Sequence, residues 1–116
     1  MRHYKIALVA SNKILTDMST TINGPAMNLD QTLHFSFHAK WTGTPTGSFK
    51  LQGSNDVEST VTDWEDIPGS TLAVAGAAGT QMWNYTDAPF RWVRIVYTAT
   101  SGTGTLSKCL FSAKGV

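Results

Sequence analysis

In LHFSFHAKWTGTPTGSFKLQGS (Leu33–Ser54), apolar and polar side chains alternate, and this alternation is the main evidence for the fold of this chain. Phe35 and Phe37 fall on one face, and Phe49 and Leu51 return to the same pattern after a connection rich in Gly and Thr. A period of two residues is typical of a pleated strand with one buried face and one solvated face. The stretch therefore predicts two antiparallel strands joined by a tight turn.

A second stretch, FRWVRIVYTATSGTGTLSKCLFS (Phe90–Ser112), repeats this design of strand, Gly/Thr turn and strand. Bulky residues occupy both faces of its first strand, so we place this strand centrally, with one side in the core and the other partly covered by a loop or a partner. We predict that the chain is built from antiparallel hairpins. The side chains expected to point inward from two stacked sheets are those of Phe35, Phe37, Phe49, Leu51, Val93 and Ile95.

Length and composition favour one all-β domain. The chain has 116 residues, of which only 15% are charged, and it is rich in Thr, Ser and Gly, which favour strands and turns over helices. We predict a single antiparallel β-sandwich over residues 1–116, jelly-roll or immunoglobulin-like, with about eight short strands and little helix. The polar residues 13–31, with the turn signal Asn23-Gly-Pro, are predicted to form an extended arm or an irregular connection.

Several classes of function find no support in the sequence. The formal net charge is +1 and no run of Lys or Arg occurs, so we expect neither a nucleic acid nor a membrane as partner. No acid–base pair, nucleophile elbow or phosphate-binding loop is recognisable, so we expect no enzyme activity and no cofactor. Cys109 lies in an alternating run and is interpreted as a small strand residue rather than a nucleophile.

The sequence contains two clusters of residue types that can bind metal ions. His34 and His38 share a strand face, but four residues along a strand span about 13 Å, too far for both to bind one ion. The acidic stretch after Ser54 carries oxygen ligands of the kind that calcium prefers, but its spacing follows no known calcium loop. We interpret it as a solvated loop, with a calcium site as the alternative. Its candidate ligands are Asn55, Asp56, Glu58 and Asp63.

The four tryptophans are the richest remaining feature, because Trp is enriched both in cores and at the centres of interfaces. We expect two of them in the core and one or two, Trp83 or Trp92, at a contact surface. Arg94 is a candidate interface or cation–π residue. The residues predicted to bind a partner are Trp83, Trp92, Arg94 and Trp64.

Four segments follow one another in the order Trp41–Asp56, Trp64–Pro68, Ala88–Tyr97 and Ser101–Leu106. This order resembles that found in small virion proteins of tailed bacteriophages. The resemblance implies a β-sandwich that coats or cements a capsid, or that forms part of a head or tail appendage. The expected partners are then the major capsid protein or other virion proteins and further copies of the chain, with a trimer as one compatible form. The expected location is the virion, assembled in the host cytoplasm.

The same order is more distantly similar to discoidin-like jelly-roll modules that bind carbohydrates through loops at one end of the sandwich. This similarity implies an alternative function, a carbohydrate-binding or receptor-binding module of a phage head or tail fibre. A shared fold does not carry sugar binding with it. The positions that match are Ser54, Asn55, Asp56, Trp64, Arg91, Trp92 and Arg94.

Overall fold

The computed structural model describes residues 4–8, 17–30, 32, 34–57, 60–86 and 88–114, with only the backbone described for residues 4–8. The described residues are all-β and contain no helix. The strands are β1 (Tyr4–Leu8), β2 (Ile22–Asn23), β3 (Met27–Asn28), β4 (His34–Gly43), β5 (Thr46–Ser54), β6 (Glu65–Asp66), β7 (Leu72–Ala75), β8 (Gly79–Tyr85), β9 (Trp92–Ser101) and β10 (Gly104–Lys114).

The strands form two antiparallel sheets that pack against each other as a β-sandwich, as the alternation predicts. The first sheet has the order β1-β10-β4-β8, and the second has the order β2-β9-β5-β6. In the second sheet β3 also pairs with β9, and β7 also pairs with β5. The longest strands, β4, β5, β9 and β10, therefore hold the interior positions of both sheets.

The predicted hairpins are wrong in one respect: the two strands of each stretch do not pair with each other. β4 lies in the first sheet and β5 in the second, and β9 and β10 are divided in the same way. Instead β4 pairs with β10, and β5 pairs with β9. The two stretches therefore run side by side as one long antiparallel ribbon, and this ribbon bends from one sheet into the other at residues 43–46 and 101–104. A hairpin and a corner both need alternating strands and a Gly-rich turn, so the local pattern does not separate them.

The corner is closed by backbone contacts between the two connections. The amide of Thr44 donates to the carbonyl oxygen of Thr103 at 2.9 Å, and Pro45 is fully buried. Gly43 and Gly102 adopt positive φ angles of 90° and 78°, a conformation that costs glycine little. Gly43, Pro45 and Gly102 thus serve the bend.

The core fills the space between the sheets with aromatic side chains from both. The ring centroids of Phe49 and Tyr97 lie 4.8 Å apart, and those of Phe37 and Phe111 lie 5.2 Å apart. Such ring pairs stabilise a core beyond the apolar area that they bury. The prediction of the inward-facing residues is confirmed, because all six are buried in this cluster: Phe35, Phe37, Phe49, Leu51, Val93 and Ile95.

Trp83 belongs to the core, so its predicted place at a contact surface is wrong. Its side chain is 5% exposed, and its ring centroid lies 5.7 Å from that of Phe49. The indole Nε1–H donates to the carbonyl oxygen of Ser70 at 2.8 Å, which satisfies the one polar group of the ring. Trp83 faces inward because it pairs with Phe37 of β4, and paired residues of antiparallel strands point to the same face.

Residues 17–30 pack along the sandwich. Met18, Ile22 and Leu29 are buried, and Ile22–Asn23 and Met27–Asn28 pair with β9. Residues 13–16 and 31 of the predicted arm or connection lie outside the described residues. The described segment therefore covers the edge of β9 and contributes to the core.

Candidate functional site

The outer face of the β5–β9 pair carries a connected group of polar and aromatic side chains. Arg94 Cζ lies 4.4 Å from the ring centroid of Trp64, and Arg94 Nε–H donates to Gln52 Oε1 at 2.9 Å. Gln52 Nε2–H donates in turn to Asp66 Oδ1 at 2.8 Å, and Lys50 Nζ lies 3.1 Å from the same oxygen. We call Trp64, Arg94, Gln52, Asp66 and Lys50 the outer-face network.

Strand register places these side chains together. Gln52 is the pairing partner of Arg94 in β9 and of Asp66 in β6, so the three lie side by side across the sheet. The predicted cation–π role of Arg94 is confirmed, and its aromatic partner is Trp64. Partial burial lowers the pKa of Arg94, but a guanidinium stays charged in proteins. Trp64 and Arg94 therefore form a pre-positioned aromatic and cationic pair.

Trp92 lies on the same face of β9 and holds the loop that follows β5. Its indole Nε1–H donates to the carbonyl oxygen of Asp56 at 3.0 Å. The carboxylate of Asp56 then closes the loop, because its Oδ2 accepts the amides of Thr62 at 2.8 Å and Asp63 at 3.1 Å. These two backbone donors lower the pKa of Asp56 from its ordinary value of 3.8, because they favour the ionised form.

The loop should loosen when Asp56 becomes protonated. A carboxylate with a lowered pKa stabilises the folded loop above its ordinary pKa, and this contribution is lost as pH falls through the lower folded value. Below pH 3.8 we expect the protection factors of the Thr62 and Asp63 amides, which correct for the intrinsic pH dependence of exchange, to fall relative to that of the core amide of Phe37. Asp56→Ala, which removes the accepting oxygen altogether, should show this low protection already at neutral pH. Equal protection in the variant and the parent protein at neutral pH would contradict this role.

A groove opens beside this loop at one end of the sandwich. Its volume is about 540 Å³. Ile67, Pro68 and Phe90 give it an apolar lining, and Phe90 packs against Gly53, where an added Cβ would lie 3.1 Å from the ring. Four carboxyl-bearing residues also line it, and none of its lining residues is Lys or Arg. These four are Asp56, Asp63, Glu65 and Asp66.

The sequence did not predict this groove, although the acidic run from Asp56 to Asp66 was visible. Its apolar lining combines Ile67 and Pro68 with Phe90, which arrives from the segment before β9. Only the pairing of β5 with β9 brings these segments together. A run of acidic residues followed by Ile-Pro would have been the available signal.

The described residues hold no group of three or more His, Cys, Asp or Glu side chains placed to bind a metal ion. Of the calcium candidates, Asp56 uses its carboxylate to close the loop, and Glu58 lies outside the described residues. His38 Nε2 lies 3.3 Å from the hydroxyl of Thr80. Arg91 pairs with Asp30 at 3.2 Å.

Cys109 is fully buried on the core side of β10. Burial raises the pKa of its thiol to about 12, because an apolar interior disfavours the thiolate. The thiol therefore remains protonated near neutral pH. This environment fits the interpretation of Cys109 as a packing residue.

No helix within the described part of the chain combines the length and apolar character needed to span a bilayer.

Comparison with known proteins gives structural likeness alone. No family model and no curated protein sequence matches this chain. Among solved structures, the SPBc2 prophage-derived protein YomS matches with a TM-score of 0.59 and 12% identity, covering 99% of this chain and 96% of its own. The PBSX exported protein XepA matches 98% of this chain with a TM-score of 0.57 and 15% identity, but this covers only 38% of XepA.

Chitosan-binding module 1 from a chitosanase/glucanase of Paenibacillus sp. IK-5 is a third structural match. Its TM-score is 0.50 at 17% identity, and the match covers 97% of this chain and 93% of the module. At such low identities these likenesses show a shared fold. The chain thus has an all-β sandwich fold that also occurs in phage-derived proteins and in a carbohydrate-binding module.

Proposed function

We propose that this chain is a non-enzymatic structural protein of a bacteriophage virion, and that it decorates the capsid by binding the major capsid protein. The observation that carries the proposal is the Trp64–Arg94 pair on the outer face of the second sheet, with Arg94 Cζ 4.4 Å from the Trp64 ring. Trp and Arg are the residue types that most often dominate binding energy at protein interfaces. The end-to-end fold match to YomS supports a phage context.

The outer-face network suits a contact that must form without rearrangement. Gln52 and Trp64 hold the guanidinium of Arg94 from two sides, and Asp66 fixes Gln52. Side chains held in this way lose less conformational freedom when a partner binds. The half-buried Trp64 leaves part of its ring accessible. A protein surface carrying an acidic side chain next to an apolar contact would match this pair.

Co-sedimentation with shells that lack this protein tests the proposal. The unmodified protein should sediment with the shells, and Trp64→Ala and Arg94→Ala should each weaken binding about tenfold or more. Lys40→Ala, an exposed change on the first sheet, is the matched control and should bind normally. Circular dichroism verifies that each variant is folded.

Mass spectrometry of purified particles supplies an independent measure. A copy number comparable with that of the major shell protein supports decoration of the shell. A handful of copies for each particle would contradict decoration and favour a collar or fibre component. Full binding by both the Trp64 and Arg94 variants would reject the outer-face network as the contact.

The groove favours a second candidate function, a carbohydrate-binding or receptor-binding module of a head or tail fibre. Phe90 offers an apolar surface on which the C–H face of a sugar can pack. The surrounding carboxylates favour a saccharide that bears protonated amines. The fold match to a chitosan-binding module is compatible with this candidate.

Titration with glucosamine oligomers at about pH 6, where the sugar amines are protonated, tests this candidate. We expect chemical-shift changes in the amides of Ile67 and Phe90, and their loss in a double variant with Asp63→Asn and Glu65→Gln. Oligomers of N-acetylglucosamine, which lack the positive charge, are the matched ligand control and should bind more weakly. Absence of saturable binding by the unmodified protein would reject the groove as a site for such sugars.

A further inference from the structure

β8 is an open edge of the first sheet. Within the described ranges it pairs only with β4, so the backbone groups along its other side face away from the sheet. It has seven residues, whereas β1 at the opposite edge has five and the outer strands of the second sheet have two to four. β8 is therefore the longest outer strand in the described part of the chain.

The sequence of β8, GTQMWNY, lacks the devices that normally prevent an edge from pairing with another chain. Such edges are usually short, or carry Pro or charged side chains. β8 contains no charged residue and no Pro. Its Met82 is 51% exposed, and among the described large hydrophobic residues only Val57 is also so exposed. Thr80, Met82 and Asn84 share the outward face, because Trp83 between them faces the core.

We propose that two copies of this chain associate through β8, antiparallel to each other and related by a two-fold axis at Met82. Antiparallel pairing about Met82 keeps all seven residues of β8 in register, and any other centre leaves some of them unpaired. It also places Met82 opposite Met82, which removes an exposed apolar side chain from water. Thr80 then lies opposite Asn84 of the second copy, and polar side chains at this spacing can form a hydrogen bond.

The charge pattern permits a second copy at this edge, because β8 carries no charged residue. The nearest outward-facing cation, Lys40, pairs with Thr80 inside its own sheet. In the proposed register Thr80 is followed across the joined sheets by Asn84 and then Ser36 of the second copy. The Lys40 side chains of the two copies therefore do not face each other. In an isologous pair the outward backbone groups of both β8 strands form hydrogen bonds with each other, and two-fold dimers are the commonest oligomers. The proposal does not depend on what the protein binds, and it favours a dimer or an even-numbered assembly over a trimer.

Analytical ultracentrifugation and substitution of Met82 test the association. The unmodified protein should show a monomer–dimer equilibrium. Met82→Lys places two ammonium groups opposite each other, and like charges at this distance should raise the dissociation constant about tenfold or more. Val57→Lys makes the same change at another exposed apolar residue and should leave the dissociation constant unchanged. A monomer at all concentrations, a trimer, or a dimer insensitive to Met82→Lys would overturn the proposal.

Cysteine cross-linking tests the register. Under mild oxidation Met82→Cys should give a covalent dimer by itself. Thr80→Cys and Asn84→Cys should each remain monomeric when alone and should cross-link when mixed. Native Cys109 is fully buried, so the unmodified protein serves as the background control. Efficient cross-linking of Thr80→Cys with itself, or none for Met82→Cys, would exclude this register.

Discussion

Alanine at position 102 should lower the free energy of unfolding by about 3 kcal/mol or more, because two separate costs fall on this residue. Gly102 has a φ of 78°, which residues with a Cβ rarely adopt. An added Cβ would also overlap the carbonyl oxygen of Thr44 in the facing connection. That oxygen belongs to the backbone of the corner and cannot move without opening it. Denaturant unfolding followed by circular dichroism measures the change.

Gly69→Ala is the matched control for this prediction. Gly69 also has a φ of 78°, but an added Cβ there would meet nothing within 4 Å. Its substitution should cost only the conformational strain, about 1 kcal/mol. The difference between the two variants then measures the close approach at the corner. Equal losses for Gly69→Ala and Gly102→Ala would mean that this approach contributes nothing to stability.

Trp83→Ala should lower the free energy of unfolding by about 3–5 kcal/mol, because it empties a large volume between the sheets. It also leaves the carbonyl oxygen of Ser70 without the indole donor that now lies at 2.8 Å. Trp83→Phe should have a smaller effect, because the phenyl ring refills part of the volume but cannot donate the hydrogen bond. Thermal or denaturant unfolding gives both values.

Met82→Ala is the neighbouring control, since Met82 lies on the same strand but is 51% exposed. It should change stability by no more than about 0.5 kcal/mol when measured at concentrations at which the chain is monomeric. A free energy of unfolding that is unchanged in Trp83→Ala would contradict the place of Trp83 in the core. Together the two variants separate the inward and outward faces of β8.

The alternation in Leu33–Ser54 and Phe90–Ser112 was sufficient to predict an all-β sandwich and the direction of its central side chains. Phe35 and Phe37 pack with Phe111, and Phe49 packs with Tyr97. These features depend on the two-residue period of a strand, which the chain itself carries. The same reasoning did not place Trp83, because β8 has bulky or polar residues on both faces and so no clear apolar side.

The candidate site could be predicted only in part. Trp64, Trp92 and Arg94 were selected as single residues, and the structure brings Trp64 and Arg94 into contact. Gln52 and Asp66, which position Arg94, were not selected, because their role follows from the register of three strands. The groove was missed for a similar reason, since Phe90 reaches it from a distant part of the chain.

The order of side chains along the chain was enough to predict strands and the side chains that those strands bury. The three-dimensional fold alone shows that β4 pairs with β10 and β5 with β9, and that the Gly-rich connections are corners between the sheets. Burial of a face follows from side-chain order, which is local. Which strands pair depends on how both sheets pack over one core, and that packing involves residues far apart in the chain.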